Sequence, residues 1–225
     1  MAHAFFLGID ARSGDTSGPH EVAYALIEKS AEGDDAEASY RLNRIRHRTD
    51  VASAADLADH LQGLIAEQPY IGRTSLIVNR RSSVGEALVE ALRDRGMDPV
   101  AAALTDGSGS AAGEPDEMSV SLGGGALVRM LADLHWNGQL SLEGHTSETA
   151  SHLARDVQAL AEHLDETDGA PEALGTSTAG PTFDPGALHM TSAALATWLG
   201  TERSFDPSQH LKGTPQTESP SPEGR

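Results

Sequence analysis

The sequence predicts an α/β fold in which a mixed central sheet is flanked by helices, and two observations support this prediction. Three strand-like segments between residues 4 and 48 are separated only by polar turns, as in an antiparallel meander. From residue 53 onward, strand-like runs alternate with amphipathic segments of helical length, as in parallel strands joined by helices. With 225 residues, the chain is long enough for one such domain and its tails.

The first three predicted strands lie in the amino-terminal part of the chain. Ala4–Ala11 (AFFLGIDA) is a short apolar run that closes with an aspartate. The polar turn Arg12–His20 connects it to a second strand, Glu21–Glu28. Tyr40–Arg48 predicts a third strand, whose many charges are typical of a sheet edge.

Helices and strands then alternate along the chain. Ser53–Glu67 predicts a helix that its first serine caps, and Ser75–Asn79 predicts the fourth strand. Ser83–Arg95 predicts a helix that stops at Gly96, and Val100–Thr105 predicts the fifth strand. Both helices have an apolar stripe at helical spacing, formed by Leu57, Leu61, Leu64 and Ile65 on the first and by Val84, Leu88, Val89 and Leu92 on the second.

The carboxyl-terminal half predicts three more helices and one short strand. In chain order these are helix Ala126–Trp136, strand Gln139–Glu143, helix Glu148–Leu164 and helix Leu188–Leu199. One domain over residues 1–203 is expected, with flexible loops at 106–117 and 165–181, and residues 204–225 are expected to be a disordered tail.

The composition is strongly acidic, with 34 Asp and Glu against 16 Lys and Arg and a net charge of −18. Such an excess keeps a surface solvated, and a salty cell interior would also explain it. It disfavours non-specific binding to nucleic acid, which needs clustered cations. The chain has no cysteine for a disulfide or a thiolate metal site, and no run near the ~20 apolar residues of a membrane span. Because the amino-terminal run is also too short for a signal peptide, a cytoplasmic protein with no membrane partner is expected.

The order of the predicted elements, β-β-β-α-β-α-β-α…α, is that of an RNase H-like fold. Within residues 4–199 the chain resembles, in five collinear segments, the nuclease domain of phage terminase large subunits. These segments are FLGIDA, RIRHRTDVASAADLADHLQGLI, TSLIVNRRSSVGEALVEALRDRGMDPVAAALTDG, GGGALVRMLADLHWNGQLSL and ALATW. The resemblance implies a first strand that ends in a metal-binding aspartate, here Asp10, and DNA cleavage with Mg²⁺ or Mn²⁺.

The chain departs from this family at the other site residues. The second acidic residue, which the resemblance places at the end of the fourth strand, falls on Asn79 or Arg80. The acidic pair expected at the start of the last helix is absent, with only Asp184 and His189 nearby. A lysine often present before the late helix falls within Gly123–Gly125, and no GxxxxGK[ST] loop of a packaging ATPase is present.

Three residues are candidate metal ligands. Hydrolysis of a phosphodiester by two metal ions needs several carboxylates around ions about 4 Å apart. Asp10 is the first candidate for a catalytic ligand, although a strand-ending aspartate can instead cap the turn that follows it. Asp184 is the second candidate, and its alternative role is to cap a helix start. Asn79 could add a neutral carbonyl oxygen to a metal, or it could simply face solvent at the strand end.

Five arginines are candidate nucleic-acid contacts. Arg44, Arg46 and Arg48 alternate along the third strand, so their side chains are predicted to share one face. Arg80 and Arg81 directly follow the fourth strand. Guanidinium groups bind phosphates well, but the alternative is that these arginines form salt bridges with the many local acids.

Two further predictions concern glycines and tryptophans. The glycines within residues 106–117, and those of Gly123–Gly125, are expected to mark flexible loops rather than phosphate-binding loops, because neither run precedes a lysine in a strand-to-helix turn. Trp136 and Trp198 lie on apolar helical faces and are predicted to belong to the core.

The sequence therefore favours a stand-alone, phage-derived terminase-nuclease-like domain with an impaired catalytic centre. Such a domain would act by binding DNA or a protein partner, for example a separate terminase ATPase. One alternative is an active Mg²⁺- or Mn²⁺-dependent DNA endonuclease that uses Asp10 together with Asp184. The other alternative is a structural or assembly protein on the same scaffold.

Overall fold

The elements of the structure follow the predicted order, with one additional strand. The structure, a computed structural model, describes residues 2–13, 19–31, 37–105, 119–142, 147–166 and 187–203. The strands are β1 (Ala2–Arg12), β2 (His20–Ala31), β3 (Ser39–Val51), β4 (Thr74–Asn79), β5 (Val100–Thr105), β6 (Ser119–Gly123) and β7 (Leu140–Ser141). The helices are α1 (Ala54–Ala66), α2 (Ser83–Arg93), α3 (Gly124–Trp136), α4 (Glu148–Glu166) and α5 (Leu188–Glu202).

The strands form one mixed sheet in the order β6-β5-β4-β1-β2-β3-β7. β1, β2 and β3 are an antiparallel meander, whereas β4, β5 and β6 run parallel to β1. β7 pairs in parallel with the start of β3 through Tyr40 and Arg41. The structure thus confirms the prediction of an α/β fold whose sheet begins with three antiparallel strands and continues with parallel ones.

The sheet separates two apolar cores, and alternation along β1 decides which side chain enters which core. Phe5, Leu7 and Ile9 pack against α1 and α2 on one face. Phe6 points to the opposite face, which α3, α4 and α5 cover. Because side chains alternate along a strand, Asp10 at the carboxyl end of β1 faces the same side as Phe6.

Helix α5 is buried on every side and lies directly on β1 and β2. Its residues from Met190 to Gly200 are all buried, and Trp198 belongs to the core as predicted. Close packing depends on Gly8 of β1, where an added Cβ would lie 2.1 Å from the carbonyl oxygen of Ser192. The small residues of α5 and the glycine of β1 together allow the backbones of the helix and the strand to approach closely.

Three sequence predictions are wrong in this part of the molecule. Strand β6 was missed, because the glycines that follow its Val120 and Leu122 suggested a loop. Gly123–Gly125 do not form a flexible loop, since Gly123 ends β6 and the next two glycines begin α3. Trp136 is 56% exposed rather than buried, because α3 ends at this residue and its buried residues lie earlier in the helix.

Several predictions lie wholly or partly outside the described residues. These are the loop 106–117, most of the linker 165–181, the tail 204–225 and the candidate ligand Asp184. The linker prediction began slightly too early, because α4 continues to Glu166. None of the described helices combines the length and the apolar character needed to cross a membrane.

Candidate functional site

The two candidate ligands from adjacent strands meet at the carboxyl edge of the sheet. β1 and β4 are parallel neighbours, with Ile9 opposite Val78, so the next residues, Asp10 near the end of β1 and Asn79 at the end of β4, lie side by side. Asn79 Nδ2 donates a hydrogen bond of 2.7 Å to Asp10 Oδ1. Both side chains are buried, with only 3% of Asp10 and 6% of Asn79 exposed. The alternative that Asn79 faces solvent is therefore wrong.

The amide of Asn79 is fixed by a second hydrogen bond. Its Oδ1 accepts from the backbone N–H of Arg81 at 3.1 Å, so the Nδ2 group is the one that faces Asp10. An asparagine in this position can donate to a carboxylate, which a second aspartate could do only when protonated. The pair is thus a complementary donor and acceptor rather than two like charges.

Burial changes the acidity of Asp10. Loss of hydration raises the pKa of this carboxyl from its usual 3.8 to about 6. The hydrogen bond from Asn79 opposes the rise most strongly, followed by the charge of Arg12 and by hydrogen bonds from Thr191 and from the Ala11 backbone. Asp10 therefore takes up a proton near pH 6, more than 2 pH units above an exposed aspartate.

Replacing Asp10 with asparagine is expected to stabilise the protein at neutral pH. Since folding raises the pKa of Asp10, this group favours the folded state fully below pH 3.8 and loses that contribution as pH rises through about 6. Asparagine does not ionise, so Asp10→Asn has no such loss. The free energy of unfolding of the variant should therefore exceed that of the unmodified protein by near zero at pH 4 and by about 3 kcal/mol at pH 7.5. Urea denaturation of both proteins across this pH range measures the difference.

A matched control for this prediction is the substitution Asp98→Asn, at an exposed aspartate before β5. It should leave the pH dependence of unfolding as it is in the unmodified protein. An Asp10→Asn protein that is equally stable or less stable at pH 7.5 would show that the charged form of Asp10 is needed for folding.

The loop after β4 is fastened to the end of β1. Ser82 Oγ donates to the carbonyl oxygen of Ala11 at 2.5 Å and also accepts from Gly85 N at 3.0 Å, which caps α2. Gly85 is necessary for this approach, because an added Cβ would lie 2.0 Å from the carbonyl oxygen of Asn79. Contacts at the start of α2 therefore fix the backbone next to both members of the Asp10–Asn79 pair.

Helix α5 contributes a residue that the sequence analysis missed. The Thr191 side chain hydrogen-bonds to Asp10, and Thr191 is itself buried. Two residues earlier in α5, His189 Nε2 lies 3.1 Å from Asp156 Oδ2 of α4, so this histidine is packed against another helix rather than directed at Asp10. A polar residue in an otherwise alanine- and leucine-rich helix is the signal that could have indicated Thr191.

The donor set at this site does not fit a pair of metal ions. Two-metal hydrolysis needs several carboxylates, and Asp10 is the one carboxylate within this hydrogen-bonded cluster. Among the described residues, no three His, Asp or Glu side chains come together in a way that could hold an ion. The Asp10–Asn79–Thr191 cluster, as described, is a hydrogen-bonded group with at most one negative charge.

The five candidate arginines fall into two groups on different parts of the molecule. Arg80 and Arg81 are exposed beside the Asp10–Asn79 pair. Arg12 is exposed two residues beyond Asp10 and acts on its pKa. The other three candidates, Arg44, Arg46 and Arg48, lie on the face of the sheet opposite to Asp10, because they pair with Leu26, Tyr24 and Val22, whose side chains belong to the core under α1 and α2. The prediction that these three share one face is confirmed.

Salt bridging explains some of the arginines of β3. Arg41 Nη2 lies 2.7 Å from Glu28 Oε2, and Arg48 Nε lies 3.1 Å from Asp50 Oδ1. Arg44 and Arg46 form no ion pair with any residue that the structure describes. The salt-bridge alternative therefore applies to Arg41 and Arg48, and within the described part of the chain it does not apply to Arg44 and Arg46.

Comparisons with protein-family models, with curated proteins and with solved structures find no match to this chain. Fold and site together define an α/β protein with a mixed seven-stranded sheet and a buried Asp–Asn pair at its carboxyl edge.

Proposed function

We propose that this chain is an RNase H-like domain of the terminase-nuclease type that binds DNA without cutting it. Two features support the scaffold: the strand arrangement of an antiparallel meander followed by parallel strands, and an aspartate at the end of the central strand β1. The single observation behind the loss of cleavage is the 2.7 Å hydrogen bond from Asn79 to Asp10. Asn79, which donates this bond, stands where the terminase resemblance implies a second metal-binding carboxylate.

Arginine can replace the positive charge that a metal supplies to a bound phosphate. Arg12 is the last residue of β1, and Arg80 and Arg81 directly follow β4, so three exposed arginines lie at the carboxyl ends of the two strands that carry Asp10 and Asn79. Guanidinium groups form strong paired hydrogen bonds with phosphate oxygens, but they do not generate a hydroxide from water. This edge of the sheet is therefore suited to holding a DNA backbone and poorly suited to hydrolysing it.

The competing proposal is an active endonuclease in which Asp184 supplies the missing carboxylate and Mg²⁺ or Mn²⁺ binds between it and Asp10. Asp184 lies outside the described residues, so this alternative is a question for experiment. The endonuclease alternative requires metal-dependent DNA cleavage that disappears when Asp10 is replaced, whereas binding of DNA by arginines requires no metal.

Substitution of Arg80 is expected to weaken DNA binding. Removal of one phosphate contact should lower affinity for a labelled duplex several-fold and reduce the salt dependence of binding by about one counterion. The measurement is fluorescence anisotropy in EDTA across a range of salt concentrations, with the unmodified protein and Arg80→Ala.

Arg73→Ala is the matched control, because Arg73 is an exposed arginine at the opposite end of the same strand, directly before β4. It should bind DNA as the unmodified protein does. If the unmodified protein does not bind DNA at low salt, or if both substitutions have the same effect, the carboxyl edge of the sheet is not a DNA-binding surface.

A further inference from the structure

The outer edge of β3 is a second surface with an identifiable chemistry. β7 pairs with β3 only at Tyr40 and Arg41. From residue 43 to residue 51, no strand among the described residues pairs with β3 on the side away from β2. Arg46, His47 and Thr49 in this stretch are exposed. An edge of this length can accept a further strand through its backbone N–H and C=O groups.

Three arginines line one face of this edge, and we call Arg44, Arg46 and Arg48 the arginine row. In the pairing of β2 with β3 they stand opposite Leu26, Tyr24 and Val22, respectively. Burial raises the pKa of the Tyr24 phenol, and all three arginines act against that rise. They are therefore close enough to influence the same side chain, and their positive charge is concentrated in a chain with a net charge of −18.

Most of the arginine row is available to an incoming anion. Arg44 and Arg46 form no ion pair with a described residue. Arg48 is paired with Asp50, whose side chain is 75% exposed. Ion pairs at such exposed positions contribute little to stability, so a better-placed carboxylate can replace Asp50.

The spacing of the arginine row matches an extended peptide. Alternate residues of a strand are about 6.8 Å apart, and alternate side chains of an added strand repeat at the same distance. A strand with Asp or Glu at every second position would therefore place one carboxylate beside each arginine. Cross-strand pairs of opposite charge stabilise a sheet, whereas like charges directly opposite destabilise it.

Charge also argues against two other occupants of the β3 edge, a second copy of this chain and a nucleic acid. Pairing of this edge with the same edge of a second copy would bring two arginine rows together. A nucleic acid would extend beyond the row onto a surface that is acidic overall. No exposed Phe, Tyr or Trp ring among the described residues of β3 is present to stack on bases, and Tyr24 beside the row is buried.

We propose that the β3 edge binds an extended acidic segment of a partner protein, which adds to the sheet as a strand and places alternate carboxylates on Arg44, Arg46 and Arg48. The backbone of the edge provides affinity, and the arginine row sets the register and the preference for acidic residues. This inference is independent of the DNA-binding proposal, which uses arginines on a different part of the sheet.

Two labelled peptides of identical composition test the proposal by fluorescence anisotropy. One peptide, Thr-Glu-Val-Glu-Val-Glu-Thr, alternates its acids, and the other, Thr-Val-Glu-Glu-Glu-Val-Thr, groups them. Only the first can place a carboxylate on every arginine from one face of a strand, so it should bind about tenfold more tightly. Arg46→Glu should weaken its binding by at least about tenfold, and a version of the peptide with Lys in place of the central Glu alone should then bind that variant better than the unmodified peptide does.

Arg73→Glu serves as the charge-matched control, since it makes the same change at an exposed site three strands away from β3. It should bind the alternating peptide as the unmodified protein does. N-methylation of alternate peptide amides on the pairing side should abolish binding, because it removes backbone hydrogen bonds and leaves the charges.

Three results would overturn the proposal. One is equal affinity for the two peptide isomers. Another is binding that survives N-methylation on the pairing side of the peptide, which would indicate a simple charge attraction. The third is a single-stranded DNA of similar length that binds the arginine row more tightly than the alternating peptide, which would identify a nucleic-acid surface.

Discussion

Asn79→Asp is expected to destabilise the protein by about 3 to 5 kcal/mol in EDTA at neutral pH, because it leaves a second buried charge unpaired. The native amide donates to Asp10 at 2.7 Å, and an ionised aspartate in its place would set two negative oxygens at that distance. Sharing one proton would relieve the repulsion, so the loss of stability should shrink towards acidic pH.

The same substitution should make stability depend on divalent cations. Two adjacent carboxylates at the strand ends form a partial cation site, and an ion that binds only the folded state stabilises it by mass action. Thermal unfolding of Asn79→Asp with EDTA and with millimolar Mn²⁺ measures this effect. Asn137→Asp, at an exposed asparagine after α3, is the control and should not respond to Mn²⁺. An equal response of both variants would mean that the strand ends do not approach each other as described.

Gly8→Ala is expected to cost more than about 4 kcal/mol and to prevent stable folding at 37 °C. The added methyl would lie 2.1 Å from the carbonyl oxygen of Ser192 and 2.6 Å from the backbone nitrogen of Ala196. Both obstacles are backbone atoms, so the whole of α5 would have to move away from β1. Circular dichroism during thermal unfolding would detect the loss.

Gly63→Ala provides the contrast for Gly8→Ala. Gly63 lies in α1 with no heavy atom within 4 Å of an added Cβ, so alanine there should stabilise the helix by about 0.5–1 kcal/mol. If Gly8→Ala folds as well as Gly63→Ala, α5 does not lie on β1. Thr191 would then have no fixed position beside Asp10, and the description of the cluster would be wrong.

Local patterns in the sequence were sufficient to predict most of the sheet. The apolar run that ends at Asp10, the alternation of Arg44, Arg46 and Arg48, and the cap at Ser53 each depend on neighbours close in the chain. The pairing of parallel strands then placed Asp10 beside Asn79, because the carboxyl ends of adjacent parallel strands meet at one edge.

Features set by distant contacts could not be predicted from these patterns. Thr191 approaches Asp10 only because Gly8 allows α5 to lie against β1, more than 180 residues earlier in the chain. Trp136 lies at the end of α3, where its apolar character suggested burial and its position gives exposure. The division of the arginines between two faces depends on the register of β2 and β3, which alternation alone does not reveal.

The proposed loss of cleavage is tested most directly by nicking of supercoiled plasmid in Mn²⁺, at low and high salt, with the unmodified protein and with Asp10→Ala. Anisotropy on the same preparations would show that the protein is folded and bound to DNA during the assay. The account predicts that neither protein nicks the plasmid, because the Asp10–Asn79 pair provides one carboxylate where hydrolysis needs several. Mn²⁺-dependent nicking that Asp10→Ala abolishes would contradict it and would identify an active endonuclease.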